Sequence, residues 1–189
     1  MKLHYSFMKR TQWLWAFLIL PIINISALFL CDPINENITH IAYANKKLPF
    51  VILWASTCAY YFWCTGYRLI EELHTHKKSC RYLLTASCLL MVISILIPYD
   101  NQAGMLSKLH VRAAMSATVA YIILFLYLLC QLSCTSSAVK KMLSTYVSFI
   151  SILCLVFLLT GCVSAIIEVS FVIFMGIFLY VLFNNKNLS

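Results

Sequence analysis

The residues best suited to chemistry are ionisable side chains that border or interrupt long apolar runs. Asp100, His110 and Arg112 fall within thirteen positions between two such runs, and Glu168 lies inside the last run. A charge near hydrocarbon costs free energy, so these positions indicate an ion pair or a binding site. Arginine and histidine can hold the phosphate of a lipid headgroup while carboxylates position the rest of it.

The acid Glu168 needs a partner if it lies in a membrane, because an ionised carboxylate there costs about 2.5–3.5 kcal/mol. The cations predicted on its side are His110 and Arg112, both near the start of the fourth apolar run. We therefore expect Glu168 to pair with one of them, either as a tie between helices or as part of a pocket. His110 also has a purely structural interpretation, as a packing residue that binds a backbone carbonyl.

A second polar group precedes the second apolar run and contains Asp32, Glu36, Asn37 and His40. Together with His110 and the acids, His40 offers an alternative chemistry, in which a bound metal activates water for hydrolysis. Zinc sites usually recruit three protein ligands at a defined geometry. The metal candidates His40 and His110 come from separate segments, so their spacing gives such a site little support.

Six apolar segments must position these side chains. A membrane-spanning helix needs about 20 mostly apolar residues, and the segments that qualify are 12–30, 49–67, 82–98, 113–133, 142–161 and 164–183. The first follows basic residues as a signal peptide would, but Pro21 interrupts it and no small-residue cleavage site follows, so we expect it to remain as a helix. With 62% hydrophobic and 11% charged residues, the chain is predicted to be all-α: residues 1–189 form a single polytopic six-helix bundle in a membrane.

Basic residues predict the orientation of this bundle, because cytoplasmic loops carry an excess of lysine and arginine. The two termini, the 68–81 loop and the 134–141 loop carry ten of the 14 basic residues. Both termini are therefore predicted to be cytoplasmic, with the polar groups on the outer face of a plasma membrane or a bacterial inner membrane. The net charge of +8 is spread over short clusters between apolar runs, which does not predict a nucleic-acid partner.

Two short stretches resemble a known family. The 33–40 loop contains Asn-Ile-Thr-His and is followed by Leu-Pro-Phe at 48–50, and the 109–114 stretch reads Leu-His-Val-Arg-Ala-Ala. They resemble the Ile-Ser-Asp loop and the His-x-x-Gly-Ala motif of DRAM/Frag/Sfk-type six-span membrane proteins. Thr-His stands where Ser-Asp is expected, and Ala113 replaces the glycine. The resemblance implies lipid as the ligand class, with His110 and the 37–40 segment at the motif positions.

These observations favour a protein that binds or handles a lipid or another amphiphile at an outer polar site. The alternatives are a metal-dependent membrane hydrolase and a structural or assembly protein. No cofactor is expected, because the nine cysteines form no CxxC pair and no nucleotide or nucleophile motif is present. Membrane lipid is the expected partner, and the sequence does not indicate an oligomeric state.

Overall fold

A computed structural model describes residues 10–43, 45–73, 76–99, 104–134 and 137–184, and each regular element within these ranges is a helix. In chain order the helices are α1 (Arg10–Leu28), α2 (Ile38–Tyr43), α3 (Leu48–Glu71), α4 (Lys77–Leu96), α5 (Met105–Ser133), α6 (Ser137–Thr160) and α7 (Ala165–Asn184). All but the short α2 are long and apolar enough to cross a membrane. The prediction of an all-α polytopic bundle is confirmed.

The six long helices form a closed ring. Each of α3, α4, α5 and α6 packs against the next helix in the chain. Helix α1 contacts both α7 and α3, which closes the ring. Aromatic side chains fill the centre: Phe62 of α3 lies 5.2 Å from Tyr121 of α5 and 6.2 Å from Phe171 of α7, between ring centroids. Such pairs stabilise beyond the area they bury, so aromatic packing joins helices that are distant in sequence.

Helix α1 accommodates Pro21 through a π-helical turn. Proline has no N–H to donate, and its ring clashes with the carbonyl four residues earlier. The preceding residues Trp15–Ile19 form the wider π turn, and the N–H of Leu20 bonds to the oxygen of Trp15. The proline that interrupts the apolar pattern therefore changes the local helix geometry without ending the helix.

The turn between α6 and α7 is built around a glycine. Gly161 has a φ of +70° and donates its N–H to the oxygen of Phe157 at 2.8 Å, as a left-handed residue after a helix commonly does. The segments predicted at 142–161 and 164–183 are therefore two helices joined by this short turn. The turn sends α7 back across the bundle, and its first residues meet the 32–38 loop.

Helix α5 begins at Met105, eight residues before the predicted start at 113. His110 and Arg112 lie within this helix, as expected, but in its second turn and not its first. The 32–38 loop and the start of α7 meet at one end of the bundle, which we call the His40 end; the opposite end carries the described limits of the chain. Which end faces the cytoplasm stays a prediction from the distribution of basic residues.

Candidate functional site

The loop before α2 is shaped by its own polar side chains. One carboxylate oxygen of Asp32 accepts the N–H groups of Ile34 at 3.0 Å and Asn35 at 3.3 Å, and the other accepts the Asn35 amide at 2.8 Å. These bonds, above all the one from the Asn35 side chain, lower the pKa of Asp32. An aspartate that binds backbone N–H groups just ahead of it is typical of a tight turn. Asp32 therefore fixes the loop.

The next part of the same segment contains Glu36, Asn37 and His40. The Glu36 carboxylate lies 3.0 Å from Nε2 of His40 and also accepts the N–H of Asp32 at 2.9 Å. Asn37 caps α2, because its side-chain oxygen accepts the N–H of His40 at 2.9 Å. The imidazole and the carboxylate are thus held on one turn of helix, one face of which is open to solvent.

Glu168 joins α7 to this segment through the backbone. Its carboxylate accepts the N–H of Ile38, the first residue of α2, at 2.8 Å. In return, the N–H groups of Ala165 and Ile166 in the first turn of α7 donate to the oxygens of Glu36 at 2.6 Å and Pro33 at 3.0 Å. Each helix start therefore has one or more of its free N–H groups satisfied by the other segment.

The expected pairing of Glu168 with Arg112 or His110 is wrong. The close contacts between acidic and basic side chains of described residues join His40 to Glu36 and Arg81 to Glu71, and Arg112 is exposed. The physical reason is that a helix start supplies N–H donors and positive dipole to a carboxylate without a charged side chain. Glu168 does connect two segments, but its partner is the backbone N–H of Ile38.

His110 is buried, with 3% of its surface exposed, and its Nδ1 lies 2.7 Å from the oxygen of Ser94. That carbonyl belongs to the last turn of α4, where the oxygens lack helical partners. Tyr43 donates its hydroxyl to the next carbonyl, that of Ile95, at 2.7 Å. Nδ1 must carry the proton to bond to a carbonyl, so His110 caps α4, in agreement with its structural interpretation.

A cavity of about 300 Å³ opens beside the Glu36–His40 pair at the His40 end. The polar lining residues, which we call the polar wall, are Asn35, Glu36, Asn37, His40 and Tyr99. The mostly apolar remainder, which we call the apolar wall, is formed by Val111, Met115, Phe157, Gly161, Cys162 and Val163. The cavity therefore combines hydrogen-bonding groups, most of them on 35–40, with apolar groups from α5, the end of α6 and the turn after it.

The predicted site residues divide into three groups. Those that line the cavity are Glu36, Asn37 and His40. Those that support its frame through backbone contacts are Asp32, Glu168 and His110. Arg112 is exposed and is not part of the lining, and Asp100 lies outside the described residues.

Sequence reasoning missed the apolar half of the cavity. Val111 and Met115 are one helical turn apart on α5, and Phe157 lies in the last turn of α6. Residues of this kind are expected on any lipid-facing helix, so no sequence signal sets them apart. Tyr99 carried a weak signal, because it follows Pro98 directly after α4 and lies next to the polar stretch.

The described residues do not assemble a metal centre. Across the described ranges, no group of three or more His, Cys, Asp or Glu side chains could hold a metal ion. The imidazole of His40 is occupied by Glu36, and Nδ1 of His110 is occupied by a backbone carbonyl. The two histidines proposed as metal candidates are therefore used in separate contacts.

The pKa of the Cys31 thiol is affected by the carboxylates around the loop. Partial burial is the largest cause that raises the pKa of its thiol, and the carboxylates of Glu36, Glu168 and Asp32 raise it in the same direction, to about 11 in all. Both effects disfavour the thiolate, the first by removing water and the others by like-charge repulsion. The three carboxylates thus change the pKa of the same thiol in the same direction.

We predict that Cys31 alkylates slowly. Its thiolate fraction at pH 8 is about one thousandth if the pKa is about 11, and it rises about tenfold per pH unit. Site-resolved mass spectrometry after iodoacetamide treatment should show a Cys31 rate that still climbs between pH 8 and 10. The same protein unfolded in SDS is the control, since an ordinary cysteine has a pKa of about 8.5. A plateau near pH 9 in the folded protein would contradict the prediction.

No family model, curated protein or solved structure matches the chain. The resemblance to DRAM/Frag/Sfk-type proteins therefore stays a prediction that depends on two short stretches. The first of them builds the start of α2, and the second contains the cap of α4. What the structure shows is a multi-pass membrane protein of all-α architecture, with a two-sided cavity at one end of its bundle.

Proposed function

We propose that this protein binds the polar end of a membrane amphiphile in the cavity at the His40 end. The observation that carries the proposal is the division of the lining into a polar wall on 35–40 and an apolar wall on α5 and α6. Binding sites for small molecules are typically concave and apolar, with a few polar groups that fix orientation. An amphiphile likewise has a polar end and an apolar end.

The position of the cavity supports access from lipid. Val111 and Met115 are 42% and 36% exposed, and most of the surface of α6 faces outward from the bundle. Acyl chains would then lie against the exposed apolar surfaces of α5 and α6 while a headgroup reaches Glu36 and His40. The resemblance of 33–40 and 109–114 to DRAM/Frag/Sfk-type proteins implies the same ligand class. We place the site on the outer face of a plasma membrane or bacterial inner membrane, from the distribution of basic residues.

Met115→Trp tests the proposal by filling the apolar wall. We expect saturable binding of a fluorescent phospholipid to the purified protein in dodecyl maltoside to weaken by about tenfold or more, as expected when ligand atoms lose their site. Val119→Trp is the matched control, because Val119 lies one turn further along α5, is 47% exposed and does not line the cavity. Equal binding by both variants and the wild type would overturn the proposal.

A structural protein is the second candidate, and a specific observation favours it. Glu168 and His110, two of the most conspicuous polar residues, serve as caps between segments of the bundle. Under this alternative the cavity has no ligand, and neither tryptophan variant changes lipid binding, because the wild type shows only unsaturable uptake. The binding isotherm of the wild type therefore separates the two candidates.

A further inference from the structure

The described part of the polar wall carries a carboxylate and neither lysine nor arginine. Glu36 and His40 form the charged or chargeable pair among these described lining residues. A neutral imidazole can donate one hydrogen bond to Glu36 and leave the negative charge of the carboxylate in place. The wall is then suited to a hydrogen-bond donor and unsuited to an unpaired phosphate.

Glu36 retains capacity for a ligand. Its carboxylate accepts one bond from the Asp32 N–H and meets His40 Nε2 on the other oxygen. An ionised carboxylate offers about four acceptor positions, so about two remain. Asn35 and Asn37 flank Glu36 in the same wall, and amide oxygens beside a carboxylate add further acceptors.

The surroundings reinforce the negative potential. Asp32 binds its own turn through backbone and amide donors, so its charge is not neutralised by a cationic side chain in the described part of the chain. The thiol of Cys31 is affected by the carboxylates of Glu36, Glu168 and Asp32 together. Negative potential therefore extends from the loop to the cavity wall.

We propose that the headgroup taken by this cavity carries a protonated primary amine, held by Glu36. This inference rests on the proposed function and names the ligand class of the same site. An ammonium has three N–H donors, and hydrogen bonds between an ammonium and a carboxylate are about twice as strong as those between neutral groups. The apolar wall of Val111, Met115 and Phe157 selects an amine attached to hydrocarbon chains over a free soluble amine.

The test compares two lipids that differ only at the amine. Dioleoylphosphatidylethanolamine and its N-acetyl derivative share phosphate and chains, and the second lacks the cation. Competition against a fluorescent phospholipid on the full-length protein in dodecyl maltoside should show the free amine binding about tenfold more tightly. Glu36→Gln should bring the two affinities together, since glutamine keeps the acceptor oxygen without the charge.

Two control variants keep this result specific. Glu71→Gln removes an exposed acid that is also in an ion pair but lies at the opposite end of the bundle. Arg112→Gln removes the exposed cation first expected to hold phosphate. Both should retain the preference for the free amine, and thermal unfolding of Glu36→Gln should match that of the wild type. A loss of preference in Arg112→Gln would overturn the assignment to Glu36.

The outcomes separate this inference from the proposed function. Equal affinity for both lipids, with binding still weakened by Met115→Trp, would reject the amine and leave amphiphile binding in place. An absence of saturable binding by either lipid would reject both. Displacement of the fluorescent lipid by free ethanolamine at a comparable concentration would reject selection by the apolar wall.

Discussion

Replacing Glu168 by alanine is expected to lower the free energy of unfolding by about 1–3 kcal/mol, while replacing it by glutamine should leave that free energy close to the wild-type value. Alanine removes the acceptor for the Ile38 N–H in a partly buried contact between α7 and α2. A donor left unsatisfied away from water keeps its desolvation cost. Glutamine still offers a side-chain oxygen to the same N–H.

Two measurements check this order of stabilities. Unfolding in mixed micelles of SDS and dodecyl maltoside gives the free energies, and hydrogen exchange at the Ile38 amide reports the contact itself. We expect that amide to lose protection in Glu168→Ala and to keep most of it in Glu168→Gln. Glu71→Ala is the control, because the Glu71–Arg81 pair is exposed and such pairs contribute about 0–1 kcal/mol.

An ion pair with Arg112 would give the opposite pattern. Glutamine would then leave a cation without its partner and would destabilise nearly as much as alanine. The double variant Arg112→Ala, Glu168→Ala distinguishes the two cases. Since Arg112 is exposed and forms no ion pair with Glu168, the two effects should add within about 0.3–0.5 kcal/mol. A larger coupling would show that the backbone contact is not the important one.

The six long helices were predictable from the sequence because hydropathy and length report on each segment separately. A stretch of about 20 apolar residues has few alternatives to a membrane helix. Boundaries were less accurate where polar residues lie inside a helix. The apolar run starts at 113, yet the helix that contains it is continuous over Met105–Ser133, since the end of a long helix can carry polar side chains beyond the apolar core.

The partners of the polar side chains were not predictable in the same way. Charge complementarity suggested Arg112 for Glu168, whereas the observed partner is a backbone N–H 130 positions away in the chain. Every residue carries a backbone donor or acceptor, so sequence does not show which one a side chain will meet. The segment 35–40 was correctly chosen as polar, but the cavity beside it depends on α5 and α6, whose apolar residues have no distinguishing pattern.

The contact between α1 and α7 depends on the absence of a side chain at Gly176. A Cβ added there would lie 2.8 Å from Cδ1 of Leu20 and 3.8 Å from the Cα of Ala16. The carbonyl of Gly176 also accepts the hydroxyl of Tyr61 at 3.0 Å. Small residues allow membrane helices to approach closely, and here the close approach brings α7 against the helix that contains the π turn.

Gly176→Leu is therefore expected to destabilise the bundle by about 1–3 kcal/mol or more, as overpacking a close contact does. Alanine should cost less, because the first atom it meets is the end of the flexible Leu20 side chain.

Shortening the Leu20 side chain tests whether this contact causes the destabilisation. In the Leu20→Ala background, Gly176→Ala should cost little, while Gly176→Leu should still be damaging because its longer side chain reaches the backbone of Ala16. Unfolding in SDS-containing mixed micelles measures the free energy of unfolding of both Gly176 variants, each in the wild-type and in the Leu20→Ala background. If Gly176→Leu matched the wild type, α1 and α7 would not be held at this distance, and the position of the α7 start against the 32–38 loop would not depend on this packing.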